Sequence, residues 1–244
     1  MTKYDKTGVG YSNHRKDDPR IEEQLHTHLA GATNLLNIGT GKGSCEPKQM
    51  DLVAVEPSAE MIRQRSVHAH PVVQASAEKL PFEDKSFSHA MSILSMHHWT
   101  NRQQAFSEIK RVTREKFVAI SWNPEAEPFW LTADYFPEIY QKDLDIFPCI
   151  KELRTNFKNV EIHPLLIHYD CKDGFLAAYW RRPEAYLDLA VRTAISTFSK
   201  LFNLDHGLTK LDSDLKNGQW QIKNKALLNT EWIDAGYILI LADI

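Results

Sequence analysis

The stretch NLLNIGTGKGSCEP, residues 34–47, joins a short apolar run to three glycines at alternate positions, Gly39, Gly41 and Gly43. A chain that leaves a strand and turns at once needs a positive φ or a very close backbone approach, and glycine permits both. The exposed amide groups of such a loop suit a negatively charged part of a ligand. A tight turn without a ligand explains one glycine well, but three at alternate positions favour a binding loop.

The spacing of these glycines differs from that of a dinucleotide-binding loop. Such loops follow G-x-G-x-x-G, whereas this chain has G-x-G-x-G with Ser44 at the later position. Glu56 ends the next β-rich run, VAVEP, where a carboxylate is placed to accept both hydroxyls of a ribose. Alone, Glu56 would be interpreted as an exposed loop acid. Together with the glycine loop it indicates a ligand that contains adenosine.

Short apolar, β-rich runs alternate with helical patterns between residues 35 and 122. The runs are LLNI, DLVAVEP, PVVQAS, SHAMSILSM and KFVAISW. The intervening patterns include SAEMIRQR, which follows Ser58 as a plausible N-cap, and NRQQAFSEIKRVTR. This alternation predicts βαβ units and a parallel sheet, covered on both faces because its strands are nearly all apolar. The predicted fold class is a doubly wound α/β domain.

The alternation breaks after Trp122, where prolines and aromatic residues accumulate. A strand is predicted around NVEIHPLLIHY, one long amphipathic helix around EAYLDLAVRTAISTFSKLF, and a terminal strand over GYILILADI. We therefore expect the sheet domain to comprise residues 34–122, 158–168 and 236–244. Residues 123–157 and 169–235 are expected to be cap or substrate insertions, and residues 1–33 an N-terminal segment with a helix over RIEEQLHTHLAG.

Composition disfavours several classes of protein. A length of 244 residues suits one large α/β domain or a domain with a cap, and a net charge of −3 argues against a nucleic-acid partner. No apolar run approaches the ~20 residues of a membrane span, and the N-terminus lacks a signal-peptide core. Cys45, Cys149 and Cys171 form no C-x-x-C pair, which favours a reducing compartment. We expect a cytoplasmic protein.

Four ordered motifs resemble the class I S-adenosylmethionine-dependent methyltransferases, most closely the small-molecule branch that includes the ubiquinone and menaquinone biosynthesis enzymes. The motifs, between about residues 34 and 120, are LLNIGTGKG, VAVEPSAEMI, ASAEKLPFEDKSFSHAMSILSMHHW and EIKRVTR. The resemblance implies a Rossmann-like, seven-stranded mixed sheet whose last strand is antiparallel. It also implies S-adenosyl-L-methionine as methyl donor, S-adenosyl-L-homocysteine as product and a small organic acceptor.

The resemblance implies roles for individual residues around the cofactor. The glycines would line its methionine part, Glu56 would hold its ribose, residues 76–78 would reach its adenine, and the end of the fourth strand would close the pocket. A first segment folded over the cofactor would add two contacts, although a flexible tail explains that segment equally well. The complete set is Gly39, Gly41, Gly43, Glu56, Pro57, Ser76, Ala77, Glu78, Ser92, Ile93, Tyr11 and Arg15.

The chain departs from the family pattern at three polar positions. Asn37 stands where an acid commonly opens the glycine motif, Ser76 replaces the loop acid near the adenine, and Ser88 replaces the acid that usually follows the Phe of SF. These changes bear on affinity for the cofactor more than on the fold. The missing acid at Asn37 is the best support for an alternative, a non-catalytic cofactor-binding protein.

SMHHW, residues 95–99, follows the fourth strand, where ligands bind in such sheets. His98 is the candidate general base, and a hydrogen-bonded histidine with no catalytic part is the competing interpretation. In extended backbone adjacent side chains point to opposite faces, so only one of His97 and His98 is expected to face the pocket. No Cys or His spacing completes a zinc ligand set, so no metal is expected.

Aromatic residues are dense just after the fifth strand. Trp122, Trp130 and Tyr135 are candidates for an acceptor-binding wall, and packing of the insertion onto the domain is the competing interpretation. The leading hypothesis is methyl transfer to a small acceptor. Methylation of RNA or protein is disfavoured by the acidic balance, and a nicotinamide dehydrogenase by the glycine spacing. The acceptor atom (oxygen, nitrogen, carbon or sulfur) and the oligomeric state stay open.

Overall fold

A seven-stranded sheet forms the centre of the computed structural model, which describes residues 16–201 and 203–244. Its strands are β1 (Leu35–Ile38), β2 (Leu52–Val55), β3 (Val72–Val73), β4 (Phe87–Ile93), β5 (Thr113–Trp122), β6 (Lys158–His168) and β7 (Trp232–Asp243). Their order is β3-β2-β1-β4-β5-β7-β6. The first five strands pair in parallel, and β7 runs antiparallel to both β5 and β6. The predicted fold class is confirmed, including the antiparallel last strand.

The strands are buried on both faces, as their apolar sequences predicted. In β5, Phe117 and Ala119 belong to one hydrophobic core, whereas Val118 and Ile120 belong to another. This alternation follows from the two-residue period of a strand, which sends successive side chains to opposite faces. Each face therefore has its own core, and helices must cover both.

Short capped helices cover these faces. The α-helices are α1 (Pro19–His26), α2 (Ala59–Arg63), α3 (Arg102–Val112), α4 (Trp130–Asp134), α5 (Pro137–Ile146), α6 (Ile150–Asn156), α7 (Leu189–Ala194), α8 (Asp205–Lys216) and α9 (Gln219–Lys223). Asp18, Ser58 and Asn101 cap α1, α2 and α3 through side-chain oxygens that accept a backbone N–H. The buried residues of α1 join one core, and those of α3 join the other.

The prediction of one long helix around EAYLDLAVRTAISTFSKLF, which begins at residue 184, is wrong. The structure has a 3₁₀ helix at Pro183–Leu187, then α7, then a 3₁₀ helix at Phe198–Lys200. Asp188 is extended, with a ψ of 125°, and its side chain accepts from Ala190 N at 2.8 Å to start α7 anew. Ile195 is extended at the other end of α7. Local capping therefore overrides the amphipathic pattern.

The segments between β5 and β6 and between β6 and β7, residues 123–157 and 169–231, are here called the cap, and they bury an aromatic cluster of their own. Trp130 donates its ring N–H to the carbonyl of Trp180 at 3.0 Å, and its ring meets those of Tyr186 and Trp220 edge-on. This cluster is continuous with the core on the α1 side of the sheet. Within the described ranges, no helix has both the length and the apolar character needed to cross a bilayer.

Candidate functional site

A cavity of about 730 Å³, here called the main cavity, lies at the carboxyl ends of the parallel strands. Its walls come from the loops after β1, β2, β3 and β4, with residues of α1, α5, β6 and the cap closing it. The strand order reverses between β1 and β4, and such a switch point is where ligands bind in open α/β sheets.

Most of the predicted cofactor residues lie together in this wall. They are Gly39, Gly41, Glu56, Pro57, Ser76, Ala77, Glu78 and Ile93, and His98 lines the cavity with them. Gly43 and Ser92 do not line the cavity. Ser92 shares a 2.6 Å hydrogen bond with Ser95, which does line it. Tyr11 and Arg15 fall outside the described residues.

The three loop glycines all have positive φ, at +71° for Gly39, +57° for Gly41 and +96° for Gly43. A Cβ on Gly39 would lie 2.5 Å from Ser95 Oγ, and one on Gly43 would lie 2.7 Å from Arg65 Nη1. A Cβ on Gly41 would meet only the Met61 methyl, at an ordinary 3.4 Å. Gly39 and Gly43 therefore make room for protein side chains, and Gly41 presents the open face of the loop.

Glu56 fastens the glycine loop to the end of β2. Its carboxylate accepts from Gly41 N at 2.7 Å and from Ser58 N at 2.9 Å, and the residue is almost fully buried. An ionised carboxylate accepts hydrogen bonds through both of its oxygens. The side chain thus fixes the loop at the wall of the main cavity.

A buried ion pair between Glu46 and Arg65 supports the glycine loop, and sequence reasoning missed it. Glu46 and Arg65 form a two-pronged contact at 3.1 and 2.9 Å, and their side chains are 5% and 4% exposed. Asn37 Nδ2 donates to Glu46 Oε1 at 3.1 Å and to Thr40 Oγ1 at 2.8 Å. The network thus holds a carboxylate beside Asn37, the position where the family commonly has an acid.

The loops after β3 and before β1 show what two other polar positions do. Glu78 Oε1 accepts from Thr100 N at 2.7 Å, which ties the loop after β3 to the start of α3. Burial alone would raise the pKa of Glu78, but its hydrogen bonds lower it overall. Ser88 Oγ accepts from Thr33 N and Asn34 N at the amino ends of β1 and β4, opposite the main cavity. The departure at Ser88 therefore concerns how β1 begins, away from the main cavity.

The expectation that only one of the two histidines faces the pocket is wrong. Residues 96–98 form a 3₁₀ helix, so His97 and His98 are not related as in a strand, and both line the main cavity. Leu94 turns the chain into this helix with a φ of +48°, an uncommon conformation for a residue with a side chain. The two imidazole rings lie 3.8 Å apart, and His97 stacks on Phe147 at 4.3 Å.

A smaller space of about 70 Å³, here called the inner chamber, lies beyond the histidines under the cap. It shares Leu94, His97, His98, Phe175 and Tyr237 with the main cavity. Trp122 lines this chamber, whereas Trp130 and Tyr135 line neither space.

Trp130 lies in the aromatic cluster of the cap instead. Tyr135 donates its hydroxyl to Asp214 at 3.0 Å, and burial together with that carboxylate raises the pKa of Tyr135. Sequence reasoning missed Asp173, Phe175 and Tyr237 in the wall, because no motif marks them.

One group of side chains in the described ranges could hold a metal ion. Single ligand atoms of Asp17, Glu22 and Cys45 lie within 4.8 Å of one another. Two carboxylates and one thiol do not complete a zinc set of the usual kind. The hypothesis that the chain uses no metal stays a prediction.

Comparison with known proteins adds independent information. Residues 36–119 match the family model of the methyltransferase domain. A crystal structure from Anabaena variabilis, described as a "putative methyltransferase from antibiotic biosynthesis pathway", is 32% identical, with 96% of this chain and 100% of that chain covered and a TM-score of 0.86.

Two further matches are more distant. An uncharacterized protein of Methanocaldococcus jannaschii is 31% identical over 121 residues, which is 48% of each chain, so the match spans about half of that curated relative. A Thermotoga maritima structure, described as an "SAM-dependent methyltransferase, possible histamine N-methyltransferase", is 14% identical, with 92% of this chain and 87% of that chain covered and a TM-score of 0.54, a likeness of fold alone.

The near full-length relative, the family model over the glycine loop and the sheet order agree with one another. The chain therefore belongs to the class I methyltransferases, whose methyl donor is S-adenosylmethionine.

Proposed function

We propose that this protein transfers a methyl group from S-adenosylmethionine to a small organic acceptor bound beneath the cap. The observation that carries this proposal is that the two spaces are adjacent and share wall residues. The main cavity begins at the glycine loop and meets the inner chamber at His97 and His98, which line both. Donor and acceptor would therefore meet at the two imidazoles.

The described residues fit the cofactor. Gly41 leaves one face of the loop open, and Glu56 lines the cavity with a carboxylate, the kind of group that accepts ribose hydroxyls. Asn37 lines the cavity, and its Oδ1 is buried and accepts no hydrogen bond from the described residues. A buried acceptor without a donor is costly, and the ammonium of the methionine part would supply that donor.

When bound, the cofactor supplies a methyl carbon activated by the neighbouring sulfonium. The acceptor would supply the lone pair for the new bond to that carbon, and the pair of the broken carbon–sulfur bond would stay with sulfur. The main task of the protein is to align the two partners and exclude water. Where the acceptor must lose a proton, His98, which lines the cavity, would take it.

Calorimetric titration with S-adenosylmethionine and S-adenosylhomocysteine tests the cofactor site, with NADH as a negative control. Gly41→Val fills the open face of the loop and should abolish binding. Gly31→Val is the matched control, because Gly31 also has positive φ, at +88°, and has no neighbouring atom within 4 Å of its added Cβ. Both variants should lose about 1–3 kcal/mol of unfolding free energy, and only Gly41→Val should lose the cofactor.

A transfer assay separates this proposal from a non-catalytic binding protein. The protein is incubated with methyl-labelled donor and pooled small metabolites, and labelled products are separated from unreacted donor. Labelled small molecules that disappear with Gly41→Val support methyl transfer. Tight cofactor binding without any labelled product would favour the binding protein.

A further inference from the structure

The turn between α5 and α6, residues 147–149, forms part of the wall where the two spaces meet. Phe147 is the first residue of this turn and lines the inner chamber. Its ring stacks on that of His97, with centroids 4.3 Å apart and planes 27° from parallel. The same ring meets Trp122 edge-on at 5.6 Å. The position of the turn therefore decides what one face of the His97 imidazole rests against.

Arg102, the first residue of α3, binds both ends of this turn. Its Nη1 donates to the carbonyl of Ile146, the last residue of α5, at 2.9 Å. Its Nε and Nη2 donate to the two carboxylate oxygens of Glu152, in the first turn of α6, at 2.8 and 3.1 Å. A guanidinium holds its donors in a rigid, planar fork, so all three bonds form only when both helix ends are correctly placed.

The charges of the two helix ends strengthen this contact. The last carbonyls of a helix lack intrahelical partners and carry partial negative charge, and the last turn of α5 has no basic residue of its own. Arg102 supplies the positive charge from another helix. Glu152 in turn lies at the positive N-terminus of α6. The contact is therefore more than an isolated surface ion pair, whose contribution is usually small.

The start of α3 joins this contact to the histidines and to the cofactor wall. The 3₁₀ helix that carries both imidazoles, residues 96–98, ends four residues before Arg102. Glu78, in the wall of the main cavity, accepts from Thr100 N at 2.7 Å, and Asn101 caps α3. Arg102 thus begins a helix that is fixed to the cofactor wall, and it places the turn of the cap relative to that wall.

We infer that Arg102 is a positioning residue for methyl transfer, which holds Phe147 against His97 and so sets the orientation of that imidazole at the junction of the two spaces. The inference rests on the proposed function, in which donor and acceptor meet at this junction. Arg102 lines neither space, so it acts through Phe147 and not by contact with either ligand.

The first test is an NMR spectrum of the imidazole C–H groups in protein saturated with S-adenosylhomocysteine. The signals of His97 are identified by their loss in His97→Gln, and stacking on an aromatic face shifts them upfield. Phe147→Leu should abolish this upfield shift. Arg102→Lys keeps the charge but replaces the fork with a single ammonium, so it should remove most of the shift. Glu152→Gln, which leaves Arg102 in place, should remove a smaller part.

The second test measures methyl transfer to an acceptor that the labelled-donor assay identifies. Arg102→Lys should lower kcat about tenfold and leave the affinity for S-adenosylmethionine unchanged, because only the alignment at the junction is lost. Gln103→Ala is the matched control. It removes the 2.8 Å hydrogen bond from Gln103 to Asn156, another contact between α3 and α6, and should leave both kcat and the His97 signals unchanged.

The outcomes separate this inference from the proposed function. Unchanged His97 signals or an unchanged kcat in Arg102→Lys, with an active parent protein, would overturn the inference and leave the proposed function standing. The same loss of kcat in Gln103→Ala would also overturn it, because any loosening of α3 from α6 would then suffice. A parent protein that binds S-adenosylhomocysteine but forms no methylated product would overturn the proposed function, and with it the role of Arg102 in transfer.

Discussion

A side chain at Gly39 would collide with Ser95, whereas one at Gly41 would enter open space beside Met61. The same residue type therefore serves internal packing at one position and the ligand at the next. Sequence alone predicted the loop and its ligand class, because three glycines after a strand have few other uses. Sequence could not show that the glycines have different roles, because Ser95 lies beside Gly39 only once β1 and β4 have paired.

Gly39→Ala should lower the free energy of unfolding by roughly 3 kcal/mol, through both its φ of +71° and the 2.5 Å contact with Ser95 Oγ. Adding Ser95→Gly to the Gly39→Ala protein should restore part of this loss, because it removes the steric contact but leaves the backbone strain at residue 39. Urea denaturation of both variants measures the two contributions. A Gly39→Ala protein as stable as the parent would show that the loop relaxes freely.

The effect of Asn37→Asp on the free energy of unfolding should change sign with the residue at position 46. Glu46→Gln leaves the buried Arg65 guanidinium without its carboxylate and should cost about 3 kcal/mol of unfolding free energy and weaken the cofactor at least tenfold. Asn37→Asp alone places two carboxylates side by side and should also destabilise the fold.

In the Glu46→Gln background, Asn37→Asp returns a carboxylate to the network and should stabilise the protein. Denaturation and S-adenosylmethionine titration of the four combinations measure this coupling. Simple additivity of the two single changes would contradict it. The network could not be predicted from sequence, because its partners are brought together by the path of a loop that has no regular structure.

At the scale of elements, the strands were predicted well and the cap helices poorly. Strands such as β4 and β5 are buried on both faces, so their apolar runs mark them directly. The stretch around α7 has a helical period, but Asp188 and Ile195 break it by adopting extended backbone. Short polar capping contacts decide such boundaries, and a hydrophobic pattern does not contain them.

The start of α1 should make stability depend on pH. Burial alone would raise the pKa of Asp18, but hydrogen bonds from Arg20 and from Lys172 N, with the charge of Arg20, hold it well below its usual range. The unfolded chain then binds a proton that the folded chain does not, so this stabilisation is complete above about pH 5 and is lost as the pH falls below about 4.

Asp18→Asn should therefore cost about 2 kcal/mol at pH 7, and the difference from the parent should shrink in acid. Urea denaturation at pH 7, at about pH 4 and at about pH 3 measures it. Asp17→Asn, at the exposed neighbouring position, is the control and should have little effect at any of these pH values. A pH-independent difference would assign the effect to the cap geometry rather than to the charge.

At the scale of the whole molecule, the aromatic residues of the cap region fall into two groups. Some pack in the hydrophobic core, and others line the inner chamber proposed for the acceptor. Trp122 and Trp130 are both 8% exposed, but only Trp122 lines the inner chamber. Trp122→Leu should raise the KM for the acceptor several-fold with little change in cofactor affinity. Trp130→Leu should lower the free energy of unfolding by about 3 kcal/mol and leave that KM unchanged. Steady-state kinetics and urea denaturation check this pair, and the reverse assignment of effects would contradict it.

The position of β7 has a consequence for how the chain is made. β7 pairs with β5 on one side and β6 on the other, yet it follows both in the chain. During synthesis β5 and β6 therefore leave the ribosome with unsatisfied edges, and the intervening cap emerges before the strand that joins them. Such edges invite pairing with other chains. We therefore expect the nascent chain to depend on chaperones that cover these edges until β7 has been synthesised.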